Sequence, residues 1–196
     1  MPRPANPHVR SRLLSKGQEV VYARGFHGSG VQDITAAAGV PKGSFYSYFD
    51  SKDAFAAEIL EEYWTTLERM AEPLLYDARL KPLKRIRSYF RSINEYHAQS
   101  SFMLGCLMGN LALELSNTSE ATRRKIAELF RRGAAPLAEC LREAQTRREL
   151  PSGADANELA ALLFEAFEGA VMREKVEQND AAFRRFDGIL LPRLLG

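Results

Sequence analysis

The chain has 196 residues, 45% hydrophobic and 27% charged, with 27 Lys plus Arg against 25 Asp plus Glu. That is the balance of one folded domain, or of two small ones, and it excludes a collagen-like or largely disordered chain. With two cysteines and three scattered histidines (His8, His27, His97), and no C-x-x-C or H-E-x-x-H spacing, nothing calls for a disulfide framework, a metal or another cofactor.

Taken in chain order, helix-period patterns dominate and no stretch alternates like a strand for long. The pattern predicts a first helix from about Val9 to Arg24, stopped by Gly25. After Gly28-Ser29-Gly30, a short helix covers Val31 to Ala38 and ends at Gly39. Pro41 suits the first turn of another short helix through about Phe49, because its missing N–H is not needed there. Ser51 caps a long helix to about Leu75, with Phe55, Ile59, Tyr63, Trp64 and Leu67 on its apolar face. Pro82 opens a helix to about Gln99, and a short helix runs from Cys106 to Leu115. Thr118 or Ser119 caps the next, which Pro136 kinks before an end near Leu150. Asp155-Ala156-Asn157-Glu158 reads as a capping-box variant ahead of a helix to about Gln178. Asn179 or Asp180 caps a last helix to about Leu194. The fold class is therefore all-α, with about nine helices.

No membrane span is expected. The most apolar run, Leu159 to Met172, is broken by Glu165 and Glu168, short of the ~20 residues a bilayer needs. Met1-Pro2-Arg3-Pro4-Ala5-Asn6-Pro7 lacks the apolar stretch of a secretory signal, so a cytoplasmic chain with reduced thiols is expected.

The modest net charge of +2 hides an asymmetry. Residues 1–52 hold seven basic residues (Arg3, Arg10, Arg12, Lys16, Arg24, Lys42, Lys52) and three acidic ones (Glu19, Asp33, Asp50), a net +4. The remainder is slightly acidic. A basic head on an acidic body fits a head that meets phosphate and a body with another task. The sequence thus divides into residues 1–52 and residues 53–196.

Within the head, Ile34, Ala37 and Ala38 supply small packing residues, Gly39 permits a positive φ, and Val40 plugs the angle between two helices. This is the helix-turn-helix plan, whose second helix enters the major groove of DNA. Phe45 and Phe49 anchor that helix, leaving Lys42, Ser44, Tyr46, Ser47 and Tyr48 toward solvent. Lys42 can meet a base edge or phosphate, and Gly43 allows close backbone approach. The hydroxyls of Ser44, Tyr46, Tyr48 and Ser29 can donate to phosphates, as can the free N–H groups of the two helix starts.

Phe26 and the run from Asp33 through Gly39-Val40-Pro41-Lys42-Gly43-Ser44-Phe45-Tyr46-Ser47-Tyr48-Phe49 to Lys52 resemble the N-terminal domain of the TetR family of bacterial repressors, densely over residues 9–60. The resemblance implies a homodimer that binds a partly palindromic double-stranded operator and releases it when the C-terminal domain meets an inducer. Carried over by position, Lys42, Gly43 and Ser44 read bases, while Ser29, Tyr46, Tyr48 and Lys52 hold phosphates. Ser47 departs from the family, which often has Tyr or His there. The C-terminal part is then a helical inducer-sensing and dimerisation domain. Its last two helices carry the dimer surface, with Leu159, Leu162, Leu163, Phe167, Phe183, Phe186, Ile189 and Leu190.

In the body, Cys106 follows Gly105 at a helix start, where the helix dipole favours thiolate, the form that attacks electrophiles and oxidants. A cysteine in an apolar helix equally serves as a small core residue, and the spacing alone leaves both readings open; Cys140, mid-helix among Leu137, Leu141 and Ala144, reads as core. Gly105-Cys106-Leu107…Asn110-Leu111…Glu114, with Glu168 to Lys175, is similar to the branch of the family that holds the N-ethylmaleimide reductase repressor and the acrylate-responsive repressor. That resemblance implies Cys106 and Lys175 as a pair able to form a reversible covalent link, with Asn110, Glu168 and Met172 in the matching segments; Trp64, one of the aromatic and sulfur residues that can line a small-molecule site or simply fill the core, is placed with them. The expected partner is a small electrophile or other small-molecule inducer; the alternative is a pocket that binds a small unsaturated acid or aldehyde without a covalent bond. No nucleophile–base pair, phosphate loop or metal set supports an enzyme.

Overall fold

The computed structural model describes residues 6–151 and 153–195; Arg3, counted with the basic head, lies outside them. Among the described residues every regular element is helical: α1 (Pro7–Arg24), α2 (Val31–Ala37), a 3-10 segment (Lys42–Ser47), α3 (Lys52–Leu75), α4 (Pro82–Ala98), α5 (Leu107–Leu115), α6 (Glu120–Thr146), α7 (Ala156–Glu177), α8 (Ala181–Arg185), a π-turn (Phe186–Leu190) and α9 (Leu191–Leu195). None of the described helices is long and apolar enough to cross a membrane.

Local chemistry sets most boundaries. α1 starts before Val9 because the Asn6 side chain accepts the His8 N–H at 3.0 Å and Pro7 fills the first turn. Ser51 caps α3 through its hydroxyl, 3.0 Å from the Ala54 N–H. Asp155 caps α7 by accepting the N–H groups of Asn157 and Glu158. Pro136 is carried inside α6, which closes at Thr146 rather than Leu150, two residues before Arg148 turns to φ +60°. The last expected helix is instead α8, the π-turn and α9 in sequence. The π-turn puts Asp187 where its carboxylate accepts from Arg87 Nε at 2.6 Å and from an Arg91 guanidinium nitrogen at 2.8 Å.

The chain forms two compact units, and they do not divide at residue 52. One unit holds the chain up to Trp64 together with Leu107–Ala127; the other holds Thr65–Cys106 and Glu128 to the end. α5 belongs with the head because its acidic end is hydrogen-bonded to the turn after α1, a pairing across 88 positions that no local pattern encodes.

In the first unit, Phe45, Phe49 and Phe55 form a three-ring cluster with centroids 5.0–5.4 Å apart. It pins the 3-10 segment to the start of α3. Ala37, expected in the packing, is exposed, and Thr35 takes a buried place with its hydroxyl donating to the Val31 carbonyl at 2.9 Å. Gly17 lets α1 approach closely: a Cβ there would lie 2.4 Å from Phe55 Cζ and 2.7 Å from Ile34 Cγ2.

The second unit has its own core of Phe90, Phe167, Phe183 and Phe186, with centroid separations of 5.0–6.0 Å. Arg85, buried, ties α4 to α6 through Glu143 at 2.7 Å and also donates to the Leu80 carbonyl. The Asn94 amide donates to both Glu174 carboxylate oxygens at 2.9 and 3.0 Å, joining α4 to α7. Cys140 is core, as read from its neighbours: its Sγ donates to the Pro82 carbonyl at 3.3 Å and burial pushes the thiol up to about 11.

Gly17→Ala should destabilise the protein by up to about 2 kcal/mol, since overpacking costs about 1–3 kcal/mol and the gain in helix propensity returns about 1 kcal/mol. Urea unfolding followed by far-ultraviolet circular dichroism measures the difference.

Candidate nucleic-acid interface and sensing site

The reading segment is a single 3-10 turn rather than a short α-helix. Pro41 sits extended before it (φ −60°, ψ 143°), and its carbonyl accepts the Ser44 N–H at 2.9 Å. Phe45 and Phe49 are buried at 0% and 2% exposure. Lys42, Gly43, Tyr46 and Ser47 are exposed, and Ser44 and Tyr48 are half-buried. The Gly43 Cα faces open space, and Tyr46 is 62% exposed. Gly39 holds φ +64°, which turns the chain between α2 and this segment. Lys42, Gly43, Ser44 and Tyr46 are thus presented together on one surface of the head. Tyr48 spends its hydroxyl as acceptor for the Asn6 N–H at 3.0 Å, with its own proton still available to donate.

Two of the expected phosphate contacts turn inward. Ser29 is fully buried, and its hydroxyl donates to the Gly25 carbonyl at 2.6 Å and lies 3.3 Å from that of Val20. Lys52 donates to the Phe26 carbonyl at 2.5 Å and stands 3.9 Å over the Phe26 ring. Burial lowers its pKa, with Glu114, Asp53 and Asp33 opposing. Both side chains are drawn in because the Gly25–Ser29 turn leaves carbonyls that need donors. Several basic residues of the head are also engaged locally: Arg10 with Glu58, Lys16 with Glu19, and Arg24 with Asp33. The basic surface is accordingly narrower than the charge count implies.

The second unit brings together three of the residues assigned to sensing. Gly105 adopts φ +69° just before Cys106, and a Cβ on it would lie 2.9 Å from Lys175 Cδ and 3.4 Å from Lys175 Cβ. The Lys175 stem therefore lies along the backbone next to Cys106, and only glycine leaves room for it. Cys106 is 5% exposed, and its thiol hydrogen-bonds the Glu168 carboxyl. Burial pushes that carboxyl up to about 7, and the thiol contact holds it lower than burial alone would. Upstream, Ser101 and Phe102 occupy the left-handed region at φ +52° and +62°, and such non-glycine conformations cost about 1–3 kcal/mol each. The segment entering Cys106 is held under backbone strain.

The other assigned residues are elsewhere. Met172 points to solvent, at 58% exposure, because its turn of α7 faces outward; it does not wall a buried pocket. Trp64 is buried in the core of the first unit, and Asn110 is half-buried on α5, one turn after Cys106. Glu114 carries no site signal in the local sequence beyond being a carboxylate near the end of the apolar run Leu107–Leu115, yet it accepts the N–H groups of Phe26 and His27. Among the described residues, no group of three His, Cys, Asp or Glu is placed to hold a metal ion.

A helix-turn-helix head with an exposed reading turn, joined to a separate helical body, defines a DNA-binding regulator of the one-chain sensor type. Comparison with known proteins identifies the family. Residues 13–59 match the model for bacterial regulatory proteins of the tetR family, and residues 82–189 match that for the tetracyclin repressor-like C-terminal domain. The chain belongs to the TetR family and is a TetR-type transcriptional repressor, a regulator rather than an enzyme. It is 37% identical to the transcriptional repressor DhaR of Mycobacterium sp. strain GP1, over 97% of this chain and 94% of that protein. It is 35% identical to the transcriptional regulator AcuR of Cereibacter sphaeroides, over 84% and 75%. Among solved structures, a TetR regulatory protein of Rhodobacter sphaeroides superposes with a TM-score of 0.88 at 32% identity, covering 96% of this chain and 99% of that one. The reduced form of Escherichia coli NemR gives 0.82 at 27% identity, covering 96% and 97%.

The Cys106–Glu168 contact carries a pH signature. Below about 7 the carboxyl is protonated and cannot accept the thiol proton; above it the carboxylate can. Alkylation of Cys106 by iodoacetamide, followed by mass spectrometry, should rise with pH and level off above about 7. In Glu168→Gln the break at about 7 should be lost.

Proposed function

We propose that this repressor leaves its operator when a reactive electrophile or oxidant modifies Cys106. The observation that carries the reading is the convergence at Gly105–Cys106 of a carboxyl that accepts the thiol hydrogen bond and a lysine stem packed alongside. With an α,β-unsaturated carbonyl compound, the thiol proton passes to the Glu168 carboxylate and sulfur adds to the β-carbon. The S–C bond forms as the C=C π bond breaks, and the proton is returned to the α-carbon. With hypochlorous acid, sulfur is oxidised to a sulfenyl chloride and water is released. The Lys175 ammonium gives a proton to solvent and its nitrogen then displaces chloride, forming an S–N bond and releasing hydrogen chloride. Either product enlarges or tightens a site already held by left-handed backbone at Ser101, Phe102 and Gly105.

DNA recognition rests on Lys42, Gly43 and Ser44 at base edges and on Tyr46 and Tyr48 at phosphates. Dimerisation uses the last helices. On α7, Leu162, Met172 and Val176 are 46%, 58% and 80% exposed and lie with Gly169 on one stripe, and Ile189 of the π-turn is 55% exposed. Exposed apolar side chains of this kind suit a symmetric helical interface.

A second reading is favoured by the low exposure of Cys106: a small unsaturated acid or aldehyde binds without bonding to sulfur, with Lys175 as the cation for its carboxylate. Intact mass after inducer treatment separates the two, since only the first leaves an adduct or a Cys106–Lys175 cross-link.

Cys106→Ser should abolish release by N-ethylmaleimide or hypochlorite while leaving operator binding within about threefold of wild type, a change smaller than one ordinary hydrogen bond. Fluorescence anisotropy on the duplex that the wild type selects from a randomised library measures both. On the same duplex, Lys42→Ala should cost about 1–3 kcal/mol and relax preference at the contacted base pair.

A further inference from the structure

The turn between α1 and α2 is gripped from two sides by side chains that the DNA-reading surface does not use. From α5, one Glu114 carboxylate oxygen accepts the Phe26 N–H at 3.1 Å and the other accepts the His27 N–H at 3.0 Å. The His27 Nε2 lies 3.4 Å from the Glu114 carbonyl oxygen. The carboxylate rests against Gly25, so closely that a Cβ there would be 2.8 Å from Oε1. From the start of α3, Lys52 holds the carbonyl and ring of the same Phe26. Phe26 is 4% exposed, so its N–H has no water to turn to when the carboxylate is withdrawn.

We propose that Glu114 is a positioning residue for operator recognition: its carboxylate fastens the α1–α2 turn, and with it the helix-turn-helix, to α5. A carboxylate taking two backbone N–H groups is a directional, charge-assisted anchor, and it sits in the last turn of a nine-residue helix whose other end follows Cys106. That helix is about 13 Å long at 1.5 Å per residue. A shift or rotation of α5 therefore pulls on the head through Glu114, whatever the signal that moves it. The anchor is separate from the choice between covalent and non-covalent induction, and it accounts for an acid kept beside a head that must approach polyanionic DNA.

The test uses full-length Glu114→Ala and Glu114→Gln proteins and the duplex selected by wild type from a randomised library. Amide hydrogen exchange at Phe26 and His27 and operator affinity across a salt series are measured. In Glu114→Ala both amides should exchange faster and operator Kd should rise about tenfold, the equivalent of one charge-assisted hydrogen bond. The salt slope should stay at the wild-type value, since loss of a direct phosphate contact changes it by about 1. Glu114→Gln, which keeps one acceptor oxygen, should fall between, and it decides the matter if the alanine protein does not fold. Unchanged exchange at the two amides would overturn the proposal. So would operator binding equal to or tighter than wild type, the result expected if Glu114 were only a negative charge near DNA. Because neither readout uses an electrophile, a Cys106→Ser protein that still releases the operator would remove the covalent reading and leave this result standing.

Discussion

A 3-10 turn of six residues has no stability of its own, and what makes Lys42–Ser47 a fixed surface is the pair of phenylalanines beneath it. Phe45 and Phe49 close on Phe55, so the reading turn is bolted to the first turn of α3. Phe55 in turn can sit there only because α1 offers a glycine at position 17. The polar residues above are presented in one arrangement because the apolar ones below have one packing solution. The head's electrostatics follow the same order. Side chains that look like phosphate ligands in the sequence, Ser29 and Lys52, instead satisfy carbonyls at the α1–α2 turn, while the polar groups of Lys42–Ser47 stay toward solvent.

In the sensing unit the controlling constraint is steric. Gly105 has φ +69° and a lysine stem where a Cβ would go, so the backbone beside Cys106 and the side chain of Lys175 are packed in register. Glu168 completes the set by accepting the thiol hydrogen bond, which partly offsets the upward push of burial on its pKa. The three residues lie within one compact unit.

Much of this was legible in the residues. Gly25, Ser51, Pro82 and Asp155 mark helix ends through short-range chemistry, and the Phe45/Phe49 spacing foretold which side of the reading turn is buried. What escaped depends on contacts far apart in sequence. Glu114 meets residues 87 and 88 positions away, and this pairing is why the compact units ignore the break at residue 52. The α-helix expected over Pro41–Phe49 is a 3-10 turn, because Pro41 stays extended and Tyr48 N–H closes on Phe45 at 3.0 Å. Met172 has the pattern of a pocket residue, but periodicity cannot tell which turn of an apolar helix faces out. The pairing of Cys106 with Lys175 is implied by resemblance; the structure shows the Lys175 stem packed on Gly105, a contact that no sequence pattern encodes.

Under the proposed function, operator release follows chemistry at Cys106. It is tested most directly by titrating the operator-bound repressor with N-ethylmaleimide, reading intact mass and operator anisotropy on the same samples. The account predicts that the fraction of operator released tracks the fraction of chains modified at Cys106. Release that is complete while Cys106 is still unmodified, or full modification with the operator still bound, would contradict it.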